Sequence, residues 1–513
     1  NHERIYRLGG HLKATGIDIR GARSARELGG IIRDEFPEVE AVTSANTWDH
    51  TLIKYEKNGA EVSFYEEDVV RTDSAYFKVF QHDFIAGDPA TALKDLNSVV
   101  VSASAAARYF GSEDPLDKTL LIDGESWKVT AVIEDLPNNT HMRFDFLLSG
   151  LLKSREWVID QGQVKSEAFW NPDVYTYFLM TKNYDPQRFY DKFPLIFDKF
   201  FKSFGDQVGG QYDAILQPLA SIHFDSTLID DEPTGNMAYL YAFSAIGIFI
   251  ILLACINYMN LSTAKSVNRA SEIAMKKTLG SDKKSLVLSF LGESVFLSLV
   301  SLVLAIVLVF LILNFSSFNS LIQKNLVVDF WNNKTLLFGS LGVAVMIGIV
   351  SGLYPAFYLP SIPTLAALKG SFKNQKSSLR LRKVLTTAQF AISIFVVVCT
   401  FFMRDQISFV RNKDLGFNKE NILILPIQDT LVQNRIEPIK NELLQNPKIT
   451  NATTSYAVLG MGTGGPVMHA ESPEGMVQQR FNMITVGDDY FKTMGIDLLT
   501  GREFQPGSGI DVN

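Results

Sequence analysis

Four long apolar runs between residues 239 and 403 constrain this chain more than any other feature. They are 239–261 (YLYAFSAIGIFIILLACINYMNL), 287–313 (ending SLVLAIVLVFLIL), 335–358 (TLLFGSLGVAVMIGIVSGLYPAFY) and 384–403 (VLTTAQFAISIFVVVCTFFM). A helix needs about 20 mostly apolar residues to cross a hydrocarbon core of about 30 Å. Each run meets that length without the polar face that a long helix in a soluble protein keeps. The chain therefore reads as a membrane protein with an α-helical transmembrane bundle of four spans.

The rest of the 513 residues is organised around that bundle. Residues 1–238 are polar and mixed, 239–404 hold the spans, and 405–513 are polar again. Lys265, Arg269, Lys276, Lys277, Lys283 and Lys284 crowd the loop at 265–285. Lys369, Lys373, Lys376, Arg380, Arg382 and Lys383 crowd the loop at 360–383, whereas about 314–334 has only Lys324 and Lys334. The positive-inside rule makes the two basic loops cytoplasmic and puts 1–238 and 405–513 together on the outer face. Tyr239, Tyr241, Trp331, Tyr354 and Tyr358 sit near span ends, where amphipathic rings favour the interface. The formal net charge of -7 gives no global attraction to nucleic acid, so the basic loops act locally, against membrane lipid or a partner. The opening NHERIYRL has neither a basic n-region nor an apolar h-region, so the expectation is a membrane segment preceding Asn1. GSGIDVN at the other end reads as a break in mid-pattern.

The outer regions read as α+β. VVVSASAAARYFG (99–111) suggests a strand turning into a helix, with Ser102 or Ser104 as cap and Gly111 as stop. KTLLIDGESWKVTAVIEDLP (118–137) suggests a hairpin turning at Asp123-Gly124, and VYTYFLMT (174–181) another strand. The stretch YFKVFQHDFIAG (76–87) matches YFKTMGIDLLTG (490–501) without a gap, sharing Tyr, Phe, Lys, Asp and Gly. A duplicated unit of outer domain plus spans is the simplest account. Cys255 and Cys399 both lie inside spans, so the outer domains hold together without disulfides.

Motifs for chemistry are weak. LGMGTGGP (459–466) lacks the Lys-Ser or Lys-Thr of a phosphate loop, and the seven His are scattered without paired spacing. The expectation is a permease rather than an enzyme, with no cofactor or metal of its own. Three polar residues within the membrane stand out: Asn257 and Asn260 near the inner end of the first span, and Glu293 about two turns into the second. Interhelical hydrogen bonds and a carboxylate reaching the interface account for them better than a transport path. Gly339, Gly342, Gly348 and Gly352 suggest close helix packing in the third span.

Several stretches together resemble the FtsX/MacB-type permeases of ABC transporters, in the large duplicated form common in Bacteroidetes-like bacteria. They are ACINYMNLSTAKSVNRASEIAMKKTLGSDKKSLVLSFLGES (254–294), SGLYPAFYLPSIPTLAALKGSFK (351–373), LRKVLTTAQFAISIFVVV (381–398) and VRNKDLGFNKENIL (410–423). RIYRL (4–8), AVIEDLPNNTHMRFDFLLS (131–149) and IHFDS (222–226) are similar to the family's MacB-like periplasmic core domain. The resemblance implies a bacterial inner-membrane protein with a periplasmic core domain inserted between the first and second spans of a four-span unit. A second such unit follows it, so this sequence lacks the first span and the final three. It also implies a dimeric ATP-binding subunit as a separate partner, which binds the ATP, and export of a drug, peptide or lipoprotein with a periplasmic adaptor or substrate. An FtsX-like regulator of cell-wall hydrolases is the alternative, and a sensory receptor a third class. Within 265–285 the candidate ATPase-coupling helix comprises Arg269, Glu272, Ile273, Lys276, Lys277 and Gly280. There Glu272 can pair with Lys276 at i,i+4, Val267, Ala270 and Ala274 can share a face, and Gly280 can end the helix.

Overall fold

The computed structural model describes residues 2–504 apart from 15–16, 49, 58, 138–139, 152–158, 161–162, 233–234, 323–325, 331–332, 359–375, 428–429, 461–464, 466 and 473–474. The chain divides into two compact units: residues 1–236 with 414–513, and 237–413. In the first unit a mixed 13-stranded sheet carries the core. Its strands are β1 (Ile5–Ala14), β2 (Ile17–Gly21), β3 (Val39–Trp48), β4 (Thr51–Lys57), β5 (Ala60–Glu66), β6 (Val69–Thr72), β7 (Phe84–Ala86), β8 (Ser98–Ser102), β9 (Thr119–Ile122), β10 (Glu125–Ile133) and β11 (Phe146–Leu148). A separate two-stranded pair, β12 (Ile159–Asp160) and β13 (Gln163–Val164), precedes the last two, β14 (Tyr175–Met180) and β15 (Gln211–Pro218). The order is β15-β1-β14-β3-β6-β11-β8-β10-β9-β4-β5, with β2 beside β1 and β7 beside β10. Among the described strand pairs only β6 with β11 and β8 with β10 run parallel, which makes the domain α+β rather than doubly wound.

Period-two alternation explains how the sheet is covered. On β14, Tyr175, Tyr177 and Leu179 enter a core shared with Ile5, Val70, Val100, Ala131 and Leu147. Phe178 and Met180 point to the other face, against Leu28, Ile31 and Ile32 of α1 (Leu28–Glu35). Burying each such side chain stabilises the fold by about 1.5–3 kcal/mol. The strand-to-helix element expected at 99–111 is β8 followed by α2 (Ala103–Phe110), where Ser102 accepts from Ala105 N–H at 3.1 Å and Gly111 closes the end. The β9–β10 hairpin turns at Asp123 and Gly124, both with positive φ (47° and 84°), as a two-residue turn requires.

The internal repeat recurs in three dimensions. Tyr76 and Tyr490 are each buried at the start of a short helix, and each packs edge-on against the following Phe. Four residues earlier, Thr72 pairs with Ala45 and Val486 with Ser455, both antiparallel. Gly87 and Gly501 adopt φ of 92° and 93°, a left-handed conformation that other residues rarely take. Between the paired positions lies a hairpin in each copy, β4–β5 in one and Val467–Ser472 with Gly475–Arg480 in the other.

The second unit contains four helices long and apolar enough to cross a membrane. The first span helix is Met237–Thr278, the second Lys283–Phe315, the third Lys334–Tyr358 and the fourth Lys376–Asn412. Apolar windows of 18 residues within them are largely unburied, as lipid-facing helices are. The first and fourth helices continue well past the apolar runs at 239–261 and 384–403. Of the basic stretch 360–383, residues 376–383 belong to the fourth helix, while Lys369 and Lys373 lie outside the described residues.

Candidate functional site

At 1.5 Å per residue the 42-residue first span helix is about 63 Å long, roughly twice the hydrocarbon thickness. It ends in a Schellman cap: Ser281 N–H donates to Lys276 O at 3.0 Å and Gly280 N–H to Lys277 O at 3.1 Å, with Gly280 at φ 95°. Two residues later Asp282 caps the second span helix by accepting from Ser285 N–H at 3.1 Å. The basic stretch 265–285 is thus a tight helical hairpin, in which helix covers all but 279–282.

The hairpin has its own small core. Ile273 and Leu286 are buried against each other, with Phe290 and Tyr358 packed beside them. Arg269 reaches across to Glu293 with two parallel hydrogen bonds of 2.8 Å each, the fork geometry of a guanidinium on a carboxylate. Glu272 pairs with Lys276 at 2.8 Å along the same helix. Opposite that core, Met275 is 59% and Leu279 82% exposed, one turn apart and flanked by exposed Lys276 and Gly280. Ala274 is buried, and the side chains of Val267 and Ala270 lie outside the described residues.

The structure therefore joins two groups of residues singled out for separate reasons, through the Arg269–Glu293 pair. Asn257 is exposed, and the Asn260 Oδ1 is buried without a hydrogen-bond partner. The interhelical hydrogen bond at this depth links the Tyr258 hydroxyl to Ser294 Oγ at 3.0 Å. Ser298 Oγ donates to Ala344 O on the third span helix at 2.7 Å. The second and third helices touch closely because Gly348 and Gly352 lack side chains; an added Cβ would meet Val295 Cα or Ser294 Oγ at 2.6 Å. Gly339 and Gly342 face open space instead. Ser294 and Ser298, four residues apart, are the small-residue signal that complements Gly348 and Gly352.

A second polar network lies in the extracytoplasmic domain, and it gathers residues of RIYRL, THMRF and IHFDS. Arg7 on β1, 1% exposed, donates to both Asp231 carboxylate oxygens at 2.5 and 2.6 Å and to Gln217 Oε1 at 2.7 and 3.1 Å. Gln217 Nε2 donates to Asp225 at 2.8 Å, and His141 hydrogen-bonds the Tyr177 hydroxyl at 2.8 Å. Burial, and then the Arg7 charge, push the His141 pKa down to about 4. Nothing in local periodicity reveals this network, because Arg7 and Asp231 are 224 residues apart. Among the described residues no group of three His, Cys, Asp or Glu could hold a metal ion.

Four long apolar helices and a mixed α+β domain fit a membrane protein with an extracytoplasmic domain. Residues 6–188 match the MacB-like periplasmic core domain, and residues 244–363 match the FtsX-like permease C-terminal domain. The chain belongs to the FtsX/MacB-type ABC permeases. Among solved structures it is similar to a domain of a permease protein from Porphyromonas gingivalis (19% identity, TM-score 0.36, covering 45% of this chain and 93% of that one). It is also similar to the periplasmic region of MacB from Actinobacillus actinomycetemcomitans (13% identity, TM-score 0.27, covering 43% and 90%). A third is the extracellular domain of the noncanonic ABC-type transporter YknZ from Gram-positive bacteria (13% identity, TM-score 0.24, covering 40% and 99%). No curated protein matches the sequence.

Proposed function

We propose that this chain is the permease subunit of an ABC transporter in the bacterial inner membrane. A separate ATP-binding subunit, present as a dimer, docks on the 265–285 hairpin from the cytoplasmic side. Its closure on ATP moves the hairpin, and the spans relay that movement to the extracytoplasmic domain, which acts on an exported drug, peptide or lipoprotein without passing it through the helix bundle. The observation that carries this reading is the continuity of the first span helix from Met237 to Thr278. A rigid rod held to the second helix by Ile273–Leu286 packing and the Arg269–Glu293 fork can transmit a push that a flexible loop would absorb.

Exposed Met275 and Leu279 amid lysines supply an apolar anchor with a polar rim, the usual anatomy of a docking patch. The full chain, co-expressed with a candidate ATP-binding subunit and purified in lipid nanodiscs, tests this. Lys276→Glu with Lys277→Glu, and separately Leu279→Asp, are expected to weaken retention of the subunit at least about tenfold while leaving membrane insertion unchanged. Retention equal to wild type in both variants would remove the hairpin as the docking element.

A further inference from the structure

The chain leaves the sheet domain through residues 225–236, and Met237 opens the first span helix. That helix is continuous in the chain with this connector, so whatever ties the connector to the sheet bears on how much of a movement along the chain arrives. The connector is held at residues 225 and 229–231. Asp225 receives Gln217 Nε2. Ala22 N–H donates to Ile229 O at 3.0 Å, and Ile229 N–H to Arg20 O at 2.8 Å, so that Ile229 lies as a parallel extension beside the end of β2. Asp230 O accepts from the Tyr175 hydroxyl at 3.0 Å and from Arg23 Nε at 3.3 Å. Asp231 takes the fork of Arg7, whose own strand β1 lies between β15 and β14.

We propose that Arg7 is a positioning residue for force transmission: its fork on Asp231 latches the connector to an inner strand of the sheet, six residues before the membrane helix begins. The latch rests on the permease reading above. A backbone pairing alone could slide by one register, whereas a buried bidentate ion pair has one geometry and leaves an uncompensated charge if it slips. The internal repeat adds a second consequence. NHERIYRL (1–8) aligns without a gap to NKENILIL (418–425), sharing Asn, Glu, Ile and Leu at the first, third, fifth and eighth places, and Arg7 corresponds to Ile424. Ile424 carries no charge, so the aligned position in the second copy cannot make this fork.

Hydrogen exchange on the full chain in complex with its ATP-binding subunit, in nanodiscs, tests the latch. In Asp231→Asn, the amides of Ala22 and Ile229 are expected to exchange at least about tenfold faster while β8 and β10 stay protected. ATP hydrolysis continues, but the ATP-dependent change in exchange across β1, β14 and β15 is lost, a result that simple loosening of a surface connector would not produce. Should Asp231→Asn lose protection in β8 and β10, the paired variant Arg7→Met with Asp231→Leu decides, because it removes both charges together. If that variant also loses the protected sheet, the pair is a folding element and the latch is overturned. A folded variant that relays the ATP-dependent change as wild type does overturns the latch and leaves the permease reading standing. A wild-type complex that hydrolyses ATP with no change in the domain overturns the reading and the latch together.

Discussion

His141 faces Arg7, Asp231, His223 and the Tyr177 hydroxyl, and its neutral ring is held by burial first and the guanidinium second. The sign of its effect follows. An unfolded chain protonates this ring near pH 6.5 and the folded domain only near pH 4, so the unfolded state binds the extra proton between those values. Stability from this residue is complete above about pH 6.5 and is lost progressively as pH falls toward 4, with about 3 kcal/mol as the upper limit. Denaturation of the full chain, followed by exchange in β14, is expected to show this loss in wild type. His141→Gln should flatten the slope, and an equally steep slope in the variant would assign the titration elsewhere. A second residue, Gly280, sits at φ 95° with hydrogen bonds that other residues can make only under strain. Gly280→Ala is expected to cost about 1 kcal/mol and to speed protease cleavage at 279–282 severalfold.

At the level of elements, the contact between the second and third span helices depends on missing side chains. Gly352→Val should push the helices apart and cost about 1–3 kcal/mol, whereas Gly339→Ala, with open space around it, should change stability by less than about 0.5 kcal/mol. Thermal unfolding in detergent micelles distinguishes them; equal melting temperatures would refute the packing. The number of spans was legible in sequence because twenty apolar residues in a row have one use. Their ends were not, and the reason is physical: hydropathy falls at the membrane surface, while helical propensity does not. Residues 262–278 (STAKSVNRASEIAMKKT) are polar but rich in Ala and Lys, so the first span helix continues through them. Arg269 and Glu293 each drew notice, yet their pairing depends on the tight turn at 279–282 that folds one helix back on the other.

For the whole molecule, orientation is the property most exposed to test. The polar regions carry no cysteine, and the two present, Cys255 and Cys399, lie in span helices. A single cysteine placed at Leu96, 78% exposed, should react with a membrane-impermeant maleimide on intact spheroplasts. One placed at Leu279, 82% exposed, should react only after the membrane is permeabilised. The reverse pattern would invert the topology read from the lysine-rich stretches. The duplication bears on this scale too, since Gly87 and Gly501 keep the same backbone angle although most side chains around them differ.

One arrangement in the sheet brings the two ends of the domain together. Strands β1 and β15 run antiparallel from Tyr6 opposite Pro218 to Lys13 opposite Gln211, so the incoming and outgoing chain meet about 5 Å apart. More than 200 residues thus begin and end on neighbouring strands, and the closure entropy that a loop of that length would demand is absorbed within the sheet. The domain is thus closed on itself at its two ends, and a change in its other loops leaves that junction in place.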